Sequence, residues 1–428
     1  MRMASRSLPV SSSLLFLAAA STANAGGIML YEYATDNVGL ANAGAAARAQ
    51  GPSTIARNPA GLAFLTGTQI SGGLQVAQGH LSVDEDAGSL AGDDSGQILE
   101  WAPGASFFVS RAVNQSLSLG FGLYGDFGLA VEYDEQWSGR YFIQDASIMG
   151  VSLVPSMAWR LDEQWSVGLG LRAVYGALDT RVAVDNNPFG AGAFADGQLH
   201  YKGDDWGYGA NLGIIHQPRA GTRIGLNYTT EVDLEFEDRL SIDNLRPAVA
   251  SQLEARGILG APLRIDMSIP QTVTLSLYQR LDAQWALLAS AGWQDWSEFG
   301  RVGIELDADN PVSATSDRDY QDTWHLAIGS QYQATPVLLW QAGLAYDSSA
   351  VADSDRTFDT PMGESWRLAT GISYAFERAA QLNLDYALVW LGDMPVAQSK
   401  GVGERIRTSG EFANAAIHVL SGSVTWRY

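Results

Sequence analysis

Cysteine is absent from all 428 residues. That excludes a disulfide framework and any thiolate metal site. Cations are scarce. Residues 1–25 hold Arg2, Arg6 and no acid, so the remainder has 24 basic against 47 acidic residues, formally −23. A nucleic-acid partner needs clustered cations and is excluded. Beyond residue 25 no run is long and apolar enough for a transmembrane helix. The histidines, His80, His200, His216, His325 and His418, form no His-x-x-x-His pair and sit in no nucleophile motif. Neither a metal nor a cofactor is expected. An outer-membrane lipase, the enzymatic alternative, would need a Ser–His pair with an acid or amide partner. The sequence offers no such motif, and the chain is read as not an enzyme.

What is present begins with an export signal. A cationic start, an apolar run from Leu8 to Ala20 and Ala23-Asn24-Ala25 place a cleavage site before Gly26. The apolar run is too short for a membrane anchor.

After that, alternation of period two dominates. "WSVGLGLRAVYGA" (165–177) puts Val167, Leu169, Leu171, Ala173 and Tyr175 on one face and Ser166, Gly168, Gly170 and Arg172 on the other. "LSLGFGLYG", "WGYGANLGI" and "WQAGLAYD" repeat it. A soluble sandwich also alternates. Here the apolar face carries Trp159, Trp165, Trp206, Trp285, Trp324, Trp366 and Trp426 near strand ends, as in membrane-interface girdles. Short connections such as "DEQ" (162–164) and "LDAQ" (281–284) alternate with long polar ones around 85–99, 134–145, 185–203, 240–269, 300–321, 350–364 and 394–414. The expected fold is all-β: an antiparallel up-and-down outer-membrane barrel of about fourteen strands. Acid-rich stretches such as 82–96 are expected to be solvated outer loops, with cation bridging to lipopolysaccharide a lesser alternative. The last strand ends on Tyr428, with Trp426, Val424 and Leu420 on the outward face. That arrangement resembles the signal read by the barrel assembly machinery.

Residues 26–68 do not alternate. Asn58 is a good N-cap and Pro59 a good first helical residue, with Ala60 following. The small, weakly polar composition suits a plug packed inside the lumen, ahead of a barrel at 69–428.

The blocks "ARNPAGL" (56–62), "FGLAVEYDEQWSGRYF" (127–142), "GDDWGYGANLGI" (203–214), "LNYTTEVDLEF" (226–236), "WQDWSEF" (293–299) and "YQDTWHLAIGSQY" (320–332) appear in order. Together they resemble the outer-membrane long-chain fatty acid and hydrocarbon transporter family (FadL-type). The resemblance covers the chain after the signal. It implies a plugged fourteen-stranded barrel, working as a monomer, and passive uptake of hydrophobic small molecules that leave sideways into the outer leaflet. Asn58, Pro59 and Ala60 would belong to the hatch. A kink in the third strand at Gly125, Asp126, Phe127, Gly128, Leu129 and Ala130 would open the wall sideways, Gly125 and Gly128 supplying unusual backbone angles. Outer loops would capture substrate through Phe189 and Phe194, and through Leu245, Val249 and Leu253 as one helical stripe. Arg181 would contact a carboxylate, or else pair with loop acids. Gln321 stands where a second basic residue is expected, which leaves room for a neutral hydrocarbon. A general porin is the transport alternative. A receptor driven from the inner membrane would need a larger plug.

Overall fold

The computed structural model describes residues 29, 31–33, 35–88, 92–99, 101–186, 194–309, 311–377, 379–401 and 404–428. The signal at 1–25 lies outside them. Fourteen strands form one closed antiparallel barrel. They are β1 Thr68–His80, β2 Trp101–Ala112, β3 Leu117–Glu132, β4 Asp145–Arg160, β5 Trp165–Val184, β6 Gly197–Arg219 and β7 Thr222–Thr229. The second half comprises β8 Thr272–Arg280, β9 Trp285–Gln294, β10 Thr323–Thr335, β11 Leu338–Asp347, β12 Ser365–Glu377, β13 Ala380–Lys400 and β14 Ile406–Arg427. β14 returns to β1 in register from Gln69 opposite Arg427 to His80 opposite Ala416. Closure removes the two free edges that an open sheet would turn to lipid.

Side-chain chemistry makes one end tight. Asp162 Oδ1 accepts from the backbone of Gln164 and Trp165 at 2.7 Å each, and Asp282 does the same for Gln284 and Trp285. Two such bonds hold the Asp282 carboxyl below the usual carboxylate range. Short turns belong on the periplasmic side. The outward face carries Leu74, Leu171, Leu212, Leu277, Ile328, Leu368 and Leu420. Exposed Trp159, Trp165, Trp285, Trp340 and Trp426 ring the turn end; Trp206, Trp324, Trp366 and Trp390 ring the loop end. That is the two-girdle pattern of a membrane-spanning barrel.

The long connections are more regular than polar loops. Val232–Arg239, Pro262–Ile269, Arg301–Leu306 and Val312–Asp317 build a separate four-stranded antiparallel sheet. Within 240–269 lies a short helix, α1 (Pro247–Glu254), whose Leu253 joins the same buried apolar cluster as the sheet. Much of the 394–414 stretch is strand: β13 runs on to Lys400 and β14 starts at Ile406, so the two continue as a paired ribbon beyond Trp390. Val232, Leu234 and Phe236 explain why this region folds, since their alternating inward face is completely buried.

Candidate functional site

The site is built from a plug, a gap in the wall and an apolar cap. The plug is a chain of short 3-10 turns, Val38–Leu40, Pro52–Ala56 and Pro59–Phe64, rather than an α-helix. Left-handed backbone at Ala41, Asn42, Gly44 and Ala49 keeps it irregular. Asn58 caps the last turn as expected, its Oδ1 accepting from Ala60 N at 3.0 Å. Its Nδ2 faces three carbonyls, Ala46 at 2.8 Å, Ile214 at 3.2 Å and Leu226 at 3.3 Å, which fastens plug to wall. Bare strand backbone makes this approach possible. A Cβ at Gly213 would stand 1.9 Å from Asn58 Oδ1, and one at Gly168 2.1 Å from Ala60 N. Ser290 and Ser276 accept from Gly44 N and Ala46 N at 2.9 and 3.1 Å.

The gap lies beside β3. The β2–β3 ladder ends at Ser106 opposite Tyr124, and β3 from Gly125 onward pairs with β4 alone. Register slips between Gly125, opposite Val151, and Phe127, opposite Gly150, so Asp126 is a bulge. One extra residue reverses parity. Phe127, Leu129 and Val131 therefore turn inward and are buried, where an unbroken strand would aim them at lipid. Gly150 makes room for the Phe127 ring: a Cβ there would meet it at 2.1 Å. Neither Gly125 nor Gly128 adopts a positive φ. The expectation that they supply unusual backbone angles is thus corrected; the inserted residue itself makes the kink. Met29 forms an isolated bridge to Phe127 across the gap. Ile98 spans its outer end, donating to Leu81 O and accepting from Glu132 N, each at 2.8 Å.

Two buried charge clusters grip the segment Tyr31-Glu32-Tyr33. At the bulge, Asp126 pairs with Arg172 and accepts from Ser152 Oγ at 2.9 Å and Tyr33 Oη at 3.4 Å. Across the lumen His325 binds Asp347 at 2.8 Å, Arg367 binds Asp347, and Arg367 lies 3.2 Å from Glu32. The Tyr31 ring stacks on His325 with centroids 4.3 Å apart, and the Arg367 guanidinium sits 4.6 Å from its centre. Arg57 donates to Tyr31 O at 2.7 Å and lies over Tyr33 at 4.0 Å. Between plug and wall is a cavity of ≈ 40 Å³, lined by Tyr31, Tyr33, Arg57, Arg172, Asn211 and Asn227 among others. That is space for a water or two. Ser365 Oγ reaches Asp347 at 3.4 Å, and Asn42 Nδ2 lies 3.4 Å from the other ring nitrogen of His325.

Above this lies the cap. Tyr133 and Trp137 stack at 4.2 Å, and Trp137 meets Phe358 edge-on at 5.1 Å. Trp137 Nε1 donates to Ile143 O at 2.7 Å. Arg140, three residues on, pairs with Asp196 at 2.9 Å. Burial and the Asp196 hydrogen bond push the Tyr141 phenol up to about 12. Met394, Val396 and Phe412 from the ribbon, Val232, Leu234 and Phe236 from the loop sheet, and Phe127 and Leu129 from β3 belong to one contiguous apolar cluster.

The candidate capture residues divide. Leu253 is buried in the cap cluster, and Leu245 and Val249 pack against it. Phe194 is exposed beneath the Arg246 guanidinium at 4.6 Å. Phe189 lies outside the described residues. Arg181 follows the second of its two readings: the outward parity of β5 carries it to the exterior, where it stands 3.6 Å from an acid, Asp145, rather than on an interior path. Gln321 is likewise exposed on a loop. Cations that do face the interior include Arg172, on the inward parity of the same strand, and Arg367 on β12, together with Arg48 and Arg57 of the plug and Arg223, which donates to Ala49 O at 3.3 Å. The parity of the strand arginines was legible; their partners were not. Among the described residues no group of three or more His, Cys, Asp or Glu is placed to hold a metal.

A closed barrel with two aromatic girdles and its own N-terminal segment in the bore is an outer-membrane protein of the plugged class. More specifically, the chain belongs to the family described as outer membrane protein transport protein (OMPP1/FadL/TodX), whose model matches residues 16–428. It is 25% identical over 393 residues to the long-chain fatty acid transport protein of Escherichia coli K12, covering 84% of this chain and 86% of that one. It is 27% identical over 450 residues to outer membrane protein P1 of Haemophilus influenzae Rd, 93% of each. The crystal structure of a Pseudomonas aeruginosa FadL homologue superposes with a TM-score of 0.84 at 21% identity, covering 94% of this chain and 99% of that one. The Pseudomonas putida toluene transporter TodX gives 0.66 at 17% identity, covering 88% and 94%. These two structural likenesses concern the fold.

Proposed function

We propose that the chain is a passive outer-membrane channel for hydrophobic molecules, long-chain fatty acids or hydrocarbons. Outer loops capture the substrate, the N-terminal segment rearranges, and the substrate leaves sideways beside β3. The carrying observation is the parity reversal at Asp126. It joins the apolar cap to the wall gap through Phe127, Leu129 and Val131. An apolar molecule following that line stays out of water and enters lipid directly. The cavity beside the plug is too small for such a molecule, so Met29–Tyr33 must move first. Hatch residues Asn58–Ala60 then serve as the fixed part of the plug. Residues 1–25 are read as the export signal, the Tyr428 end as the contact for the assembly machinery, the outer leaflet as the lipid partner, and one chain as the working unit.

Deleting Asp126 tests this by restoring an unbroken register. Uptake of oleate and toluene by cells should fall to background while the barrel stays heat-modifiable in detergent gels. Normal uptake by that variant rejects the side exit.

A further inference from the structure

Lys400 is one of only two lysines in the chain, with Lys202. It ends β13, ten residues beyond the Trp390 girdle and so outside the membrane. The buried arginines of the cap, Arg140, Arg318 and Arg356, each have an acid, respectively Asp196, Asp359 and Asp353. Lys400 has none among the described residues. Its ammonium donates to Tyr141 O and lies 5.2 Å from the centre of the Phe142 ring. Nearby Arg405 is neutralised by Asp185. The neighbouring sequence at 187–193 and 402–403 contains no acid. Burial alone pulls the amine down to about 8. An ammonium removed from water without a counter-ion is costly. An apolar side chain would fill the same place without that cost.

What lies beneath Lys400 gives the charge a use. Lys400, Gln398, Val396 and Met394 share the inward parity of the ribbon, and Val396 and Met394 are buried. Gln398 is taken up by Phe358 N at 2.8 Å. Val396 and Met394 belong to the same cluster as Phe358, Trp137 and Phe127. From Lys400 to Met394 the ribbon runs roughly 20 Å, a length suited to a long acyl chain rather than to one aromatic ring.

We propose that Lys400 anchors the carboxylate of a long-chain monocarboxylate at the outer rim, with its tail along the Val396–Met394 face. The inference rests on the channel reading and names its substrate class. The ligand supplies the counter-ion that the protein withholds, and a charge-assisted hydrogen bond replaces the carbonyl contact. A neutral hydrocarbon gains nothing from this residue.

The test compares oleate with oleyl alcohol, which share a tail and differ in head group, in binding to full-length protein in nanodiscs at pH 7. Wild type should prefer oleate. Lys400→Met should weaken oleate at least about tenfold and leave the alcohol unchanged; Lys400→Arg should retain the preference. Val396→Glu, which blocks the tail, should weaken both. Equal oleate affinity in wild type and Lys400→Met overturns the proposal. Toluene uptake by the same wild-type protein separates the two readings. If toluene enters while oleate is not preferred, the rim site falls and the channel stands; if neither probe is bound or taken up, both fall.

Discussion

The turn-side and loop-side halves of this bore are closed by opposite chemistries. On the turn side, small residues, backbone hydrogen bonds and buried ion pairs seal the plug to the wall, as at Asn58, Ser276, Ser290 and the Asp126–Arg172 pair. On the loop side, stacked rings and aliphatic side chains do the closing, from Trp137 and Phe358 to Met394. A polar seal excludes ions and holds its register through directional bonds. An apolar seal is non-directional and admits another apolar molecule at little cost. The bulge at Asp126 is where one gives way to the other.

The largest expected effect comes from removing the polar seal altogether. Deleting residues 26–66 should convert a poorly conducting protein into a steady open pore in planar bilayers. High conductance in the intact protein would favour a general porin; no change on deletion would mean that the cap seals alone. Single residues should then separate the halves. Arg172→Met strands Asp126 and should destabilise by ~3–5 kcal/mol in denaturant unfolding, with ion leakage. Trp137→Ala should cost a similar ~3–5 kcal/mol and reduce uptake without leakage. Leakage from the Trp137 variant would erase the contrast. A charge on the lipid face, Leu212→Arg, should cost ~2–4 kcal/mol near the midplane and disturb neither seal; altered selectivity there would place the residue wrongly. Smallest of all, Arg181→Gln should change stability by less than ~1 kcal/mol and leave oleate uptake intact. A clear loss of uptake would return Arg181 to the pathway.

Sequence alone determined the barrel, its plug and its outward face. Strand geometry ties side-chain direction to parity, so Leu171, Leu212 and Trp426 could point only one way once their strands were recognised. Turns held by Asp162 and Asp282, and the cap at Asn58, were equally local. Parity followed to residue 181 also places Arg181 outside, a conclusion that a family position obscured. Tertiary structure alone decided which buried charges meet. Asp126 finds Arg172 from another strand, Arg367 reaches Glu32 on the plug, and Lys400 meets Tyr141 on a distant loop. No periodicity encodes such pairs, because each depends on how strands stagger around the barrel and how the plug lies within it. The bulge belongs with them. A single inserted residue leaves no compositional mark, yet it turns three apolar side chains from lipid to lumen.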